Sequence, residues 1–115
     1  MAQSIRDLIA AELGVATLRI GDNPLNVDVD IADKIILKAD PMRYAFVLVN
    51  VGGNNIFLTP RRAVVGTAGI LVGASGGLIS FSWRDDLILP AVEWHAVAAG
   101  NNTAIEIYTV EGEPD

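Results

Sequence analysis

The chain contains no cysteine. That excludes a disulfide framework, a thiolate nucleophile and any cysteine-based zinc site, so stability has to come from packing. Histidine occurs once, as His95. Charge is scarce as well: 19% of the 115 residues are Asp, Glu, Lys or Arg, below the usual quarter for soluble domains. Among them 14 acidic residues outnumber 8 basic ones, for a net charge of −6, a balance that disfavours nucleic-acid backbones. Long apolar runs are missing too, each being broken by Gly, Thr or Pro short of the roughly 20 residues that cross a bilayer. The N-terminal MAQSIRDLIAAELG has no basic leader and carries Asp7 and Glu12 where a secretory signal needs unbroken apolar residues. The expectation is one soluble, unprocessed domain with neither nucleic acid nor membrane as partner.

What is abundant is apolar side chain, at 51% of the residues. A small domain has much surface for its volume, so this content is hard to hide in one copy. Some of it is expected to face another chain.

Ile5, Leu8, Ile9 and Leu13 recur at helical spacing between Ser4, a capping residue with Asp7 three positions on, and Gly14. They predict a short amphipathic helix over Ile5 to Leu13. From Val15 the period changes to two. VDVDIADKIILKA reads as a half-buried strand, and RYAFVLVNVGG is the strongest strand, with Ala45, Val47 and Val49 on one face and Tyr44, Phe46 and Leu48 on the other. Both faces are apolar, which suggests a central strand covered on each side, or one face buried by a neighbouring subunit. IFLTP is short enough to close a hairpin after GGNN, GASGG is a turn between GILV and LISFSW, and EGEPD is an acidic tail expected to fray. One helix and about seven to eight short strands predict an all-β antiparallel sandwich or jelly roll, with residues 1–14 as helix or arm, 15–112 as the β-sandwich and 113–115 as tail.

The glycine-rich VVGTAGILVGASGGLISF raises the question of a phosphate loop. Such a loop needs Lys and Ser or Thr after its last glycine and a helix to follow. Here Ile79, Phe81 and Trp83 alternate with Ser80 and Ser82, so the glycines open onto a strand with Ile79, Phe81 and Trp83 on its buried face. Ser75 in GASGG is not a nucleophile elbow for the same reason. Glu93 and His95 share a strand face and could form a general-base pair, but a cupin-like metal site wants more histidines. His95 reads instead as a surface or interface histidine opposite Trp94. Asp28, Asp30 and Asp33, and the pair Asp85 and Asp86, lack the spacing of a calcium loop or a glycosidase pair. Trp83, Trp94, Tyr44 and Tyr108 could line a sugar-binding face, although Trp83 is in phase with core residues and Trp94 with Ala96 and Ala98. No catalytic residue, cofactor site or metal site is assigned.

The order of these motifs carries a resemblance. An Arg-led strand ends in N-x-G (Asn50 to Gly52), then come Ile56-Phe57-Leu58, G-I-x-V from Gly69, D-D-L-x-L-P from Asp85, E-W-x-A from Glu93 and a final Ile105-Glu106-Ile107. From about Arg43 to Gly112 this resembles small virion proteins of tailed bacteriophages. The resemblance implies a non-enzymatic structural role, foremost a capsid decoration (cement) protein located in the virion and assembled in the host cytoplasm. Its partners would be itself, as a dimer or trimer at a local symmetry axis, and the major capsid protein or another virion protein. The alternatives are a carbohydrate-binding β-sandwich module or a tail or head-fibre component. The N-terminal helix has no counterpart in the resemblance. The expected interface is the helix face Ile5, Leu8, Ile9 and Leu13 together with Arg61 and Arg62, a pair able to grip acidic groups.

Overall fold

The computed structural model describes residues 5–14, 17–21, 25–64 and 68–113. Helix α1 spans Ile5–Leu13, the predicted range. It stops at Gly14, whose φ of +73° is the left-handed conformation that glycine adopts freely at a helix C-terminus. The expected capping residue Ser4 lies outside the described residues.

Nine strands follow among the described residues: β1 (Thr17–Ile20), β2 (Leu25–Val29), β3 (Lys34–Leu37), β4 (Arg43–Asn50), β5 (Ile56–Pro60), β6 (Ile70–Val72), β7 (Gly77–Ser82), β8 (Trp94–Ala98) and β9 (Thr103–Glu113). A short helix α2 (Trp83–Asp86) and a 3₁₀ turn (Leu89–Ala91) separate β7 from β8. One sheet has the order β1-β9-β4-β7, with β2 also pairing with β9, and the other has the order β3-β8-β5-β6. The pairings are nested: β2 with β9, β3 with β8, β4 with β7 and β5 with β6, all antiparallel. One long hairpin has thus been rolled so that alternate pairs fall in opposite sheets. That winding defines a jelly roll, the all-β antiparallel sandwich that the strand spacing predicted.

Several local expectations are corrected by this winding. VDVDIADKIILKA is two strands in two sheets, because the segment between them turns: Asn102 N donates to Asp30 Oδ1 at 2.8 Å and Ile31 N to Asn101 Oδ1 at 3.1 Å. IFLTP closes no hairpin with β4 and crosses to the other sheet as β5. Asn50 sets that crossing, its amide donating to Asn54 O at 2.8 Å and Val72 O at 3.2 Å while Oδ1 accepts from Gly52 N at 3.0 Å. GASGG also passes between sheets. Its ends approach so closely that a Cβ on Gly77 would stand 2.3 Å from Gly73 O, so only glycine fits there. Trp83 does not continue the buried face of β7; Ser82 caps α2 instead and turns Trp83 out of the strand. The acidic Glu111 to Glu113 does not fray but extends β9 against β1, with Thr17 opposite Glu113.

The core lies between the sheets and is built by period-two alternation. On β9 Ile105 and Ile107 point inward beside buried Thr103 and Thr109, while Tyr108 points out. Across from them Trp94 of β8 is wholly buried with Ala96 and Ala98 on its face. Its ring meets Phe81 at 4.7 Å and Phe46 at 5.6 Å between centroids, and its Nε1 donates to Leu89 O at 2.9 Å. Such packing fixes a large aromatic payload with its one polar atom satisfied. Among the described residues no buried side-chain nitrogen or oxygen lacks a hydrogen-bond partner.

Candidate functional site

Glu93 does meet His95, with Oε1 2.7 Å from Nε2, but a third residue completes the group: Asp33 Oδ2 lies 2.8 Å from Nδ1. Both ring nitrogens face carboxylate oxygens, an arrangement that favours the doubly protonated ring, in which each nitrogen donates to its carboxylate. The hydrogen bond to Asp33, helped by Glu93 and opposed by burial, raises the His95 pKa above its ordinary value. Burial alone would push the Asp33 carboxyl up, yet the Val64 amide and the His95 ring outweigh it and hold Asp33 below the usual carboxylate range. Val64 N donates to Asp33 Oδ1 at 2.9 Å.

The trio therefore straps edge strand β3 and the segment after β5 onto β8. With both nitrogens engaged by carboxylates, the protonated ring offers no lone pair to a substrate proton or a metal ion. The two carboxylates also lie on opposite nitrogens and cannot converge on one ion. His95 is 9% exposed, so the expected surface or interface histidine is a buried one. Nothing in the local spacing signals Asp33, which reaches His95 only through the β3–β8 pairing.

The other chemical candidates disperse. Asp30 holds Asn102 and Asp33 holds His95, while Asp28 offers its carbonyl to Lys34 Nζ at 3.0 Å. Asp86 Oδ2 accepts from Ser82 N at 2.9 Å at the start of α2, with Asp85 beside it on Ser82 Oγ. Ser75 sits in the turn before β7, its N donating to Gly52 O at 2.8 Å. The four aromatic candidates do not form one row: Trp94 is in the core, Tyr108 donates to Glu106 on the outer face of its sheet, and only Tyr44 and Trp83, the latter under the Arg84 guanidinium at 4.8 Å, line a common groove.

Arg43 was read only as the first residue of a strand, and the fold makes it a buried clamp. Its Nε donates to Pro90 O at 2.7 Å and its Nη2 to Lys38 O and Val92 O, each at 2.9 Å. Burial lowers its pKa, against the pull of Asp40 and Glu111. Three carbonyls of irregular backbone thereby gain charge-assisted partners.

That clamp organises the end of the sandwich where the expected interface residues gather. Ile5 and Leu8 of α1 are 76% and 53% exposed, while Ile9 and Leu13 are half-buried. The helix packs chiefly against β1, and Glu12 meets Arg84 at 3.2 Å. Leu13 lines a groove of about 400 Å³ with Pro41, Tyr44, Trp83, Leu87 and Ile88. Leu87 and Ile88 are 77% and 68% exposed, and Leu87 has φ +58° and ψ −118°, an unfavourable backbone for a residue with a Cβ. Arg61 borders a second cleft, of about 390 Å³, lined by Ala39, Val92 and Glu93. The two hollows share Pro41 and Ala91. Helix face and Arg61 thus converge on one end of the molecule, whereas the exposed Arg62 joins neither lining and offers its carbonyl to Thr59 Oγ1.

The sheet of β4 bears a further apolar surface. Ala45, Val47 and Val49 point away from the core and are half-buried, flanked by Val110 on β9 and by Leu78 on β7. No described helix or strand packs across the middle of this face. Between Ala63 and Trp83 the sequence has no charged residue, a signal that reading the glycines alone passes over. No protein-family model matches the chain, and no curated protein matches it.

Proposed function

We propose that the protein is a non-enzymatic structural component of a phage virion, a capsid decoration protein whose copies associate with one another and clamp neighbouring capsid subunits. The observation that carries this reading is the contrast between a closed interior and an open surface: among the described residues buried polar side chains are satisfied, while Ile5 and Leu8 of α1 stand in solvent, as do Leu87 and Ile88 at an apolar groove that Leu13 of the same helix lines. Contiguous exposed apolar surface of this kind marks a contact with another chain. The radius of gyration of 15.2 Å exceeds the roughly 13 Å of a compact domain of this length, consistent with a helix held mainly through its C-terminal residues. Jelly rolls also serve as lectins and cupins. Here the space between the sheets is filled by Phe46, Phe81 and Trp94, and the groove that Tyr44 and Trp83 share is lined otherwise mainly by apolar residues such as Leu13, Leu87 and Ile88, which favours the scaffold over the sugar-binding module.

Sedimentation of the purified protein, alone and mixed with capsids, tests the proposal. The expected result is a dimer or trimer that co-sediments with heads. Co-sedimentation with tails or fibres would move the same reading to another part of the virion. A monomer at micromolar concentration that ignores every virion substructure would end it.

A further inference from the structure

An open sheet edge presents unpaired backbone N–H and C=O groups, and proteins that stay monomeric blunt such edges with charge, proline, bulges or brevity. Three of the four flanks of this sandwich are blunted. The β1 and β2 edge carries the exposed Asp28 on β2. Strand β3 starts at Lys34 and its pairing is interrupted between Ile35 and Leu37, and β6 is only three residues long. Strand β7 has none of these devices from Leu78 to Phe81; only its ends are engaged, Gly77 N by Gly73 O and Ser82 N by Asp86 Oδ2. Its sequence GLISFS is free of charge and proline, it pairs with β4 in unbroken register from Gly77 to Ser82, and no described strand pairs with its other edge.

We propose that β7 pairs antiparallel with β7 of a second copy of this chain, about a two-fold axis near Ser80, so that one sheet runs continuously through both copies. This names the contact behind the self-association reading above and rests on it. Charge selects a second copy as the occupant. Each copy carries a net charge of −6, so two copies repel unless they meet where charge is absent. The turn from Gly73 to Gly77 brings β6 and β7 to the same flank, and both belong to the uncharged stretch from Ala63 to Trp83.

A strand that pairs with itself also places each residue against its own kind or a near neighbour, so a single charge would confront its duplicate. GLISFS offers no such conflict. Residues opposite each other must lie on the same face. With the axis at Ser80, Ser80 meets Ser80 and Leu78 meets Ser82 on the outer face, while Ile79 meets Phe81 on the inner face. Leu78, 65% exposed and opposite Val49, then extends the apolar stripe of β4 towards the second copy.

The test places charge at Ser80, which is exposed and whose replacement leaves the core untouched. Wild type is expected to sediment with the mass of two 12.2 kDa chains. Ser80→Lys and Ser80→Glu should each bind themselves about 100-fold more weakly, because like charges would face one another across the axis. Mixing the two variants should restore the dimer, a result that only a contact placing position 80 against position 80 gives. Hydrogen exchange on wild type supplies a check free of substitutions: the edge-facing amides between Leu78 and Phe81 should gain protection as concentration rises. A dimer or trimer indifferent to both charges, with no concentration-dependent protection in β7, would overturn this contact and leave self-association standing. A wild type that stays monomeric at 100 µM would overturn both.

Discussion

The sandwich body and helix α1 solve opposite problems. In the body each polar group that goes inside finds a partner, down to the Arg43 guanidinium on three carbonyls and His95 between two carboxylates. In α1 half of the apolar face, Ile5 and Leu8, remains in water. A nine-residue helix gains little stability from its own backbone. The Glu12–Arg84 pair, exposed at both side chains, adds at most about 1 kcal/mol. The body therefore carries the stability of the chain, and the helix with its adjoining corner carries surface that a partner would finish.

Substitutions that separate stability from association sharpen that contrast. The largest effect is expected from Trp94→Ala, which empties the centre of the core and should destabilise the fold by about 3–5 kcal/mol in denaturant titration. Any molecules that stay folded should still associate. The His95 strap comes next, through pH. Because the folded pKa of His95 is raised from 6.5, its contribution is complete below that value and is lost as pH rises through the raised one. Because the folded pKa of Asp33 is lowered from 3.8, its contribution is present above 3.8 and is lost as pH falls through the lowered value. Melting temperature against pH should accordingly decline on the alkaline side in wild type and lose that decline in His95→Gln.

At the groove the sign reverses. Leu87→Gly removes a Cβ from a backbone with positive φ and should stabilise the monomer by about 1 kcal/mol, while weakening association measured by sedimentation. The smallest stability change belongs to Leu8→Asp, within about 0.5 kcal/mol, and it should abolish capsid binding. If Leu8→Asp melts several degrees lower and still binds, the division between body and helix is wrong.

Much of the architecture was legible because period-two alternation survives in β4, β7 and β9, and because Gly14 marks the end of α1. The division of strands between sheets was not. VDVDIADKIILKA alternates clearly only from Val27 to Ile31 and loses its phase at Ala32 to Lys34, and the Asp30–Asn102 and Ile31–Asn101 hydrogen bonds, made across the chain, show that it leaves one sheet for the other there. The same limit applies to the strap: Glu93 is two residues from His95 and could be paired with it by spacing, whereas Asp33 is brought there by the β3–β8 register. Arg43 was hidden for a related reason, since its acceptors Pro90 and Val92 come from the segment leading into β8. The absence of charge around β7 was open to view and acquires meaning only once β7 is known to be an edge.

The nested pairing also dictates an order of assembly. Strand β9 lies against β1, β2 and β4 at once, so three strands made earlier have no neighbour on that side until β9 joins them. Pairing Leu25 with Ile107 closes a loop through nearly the whole jelly roll before any of its contacts can help, and topologies dominated by such distant partners fold in roughly milliseconds to seconds. Strand β4 can pair with β7 in the meantime, so the edge that waits for β9 is the other one, and that edge is the exposed surface of the partly folded chain.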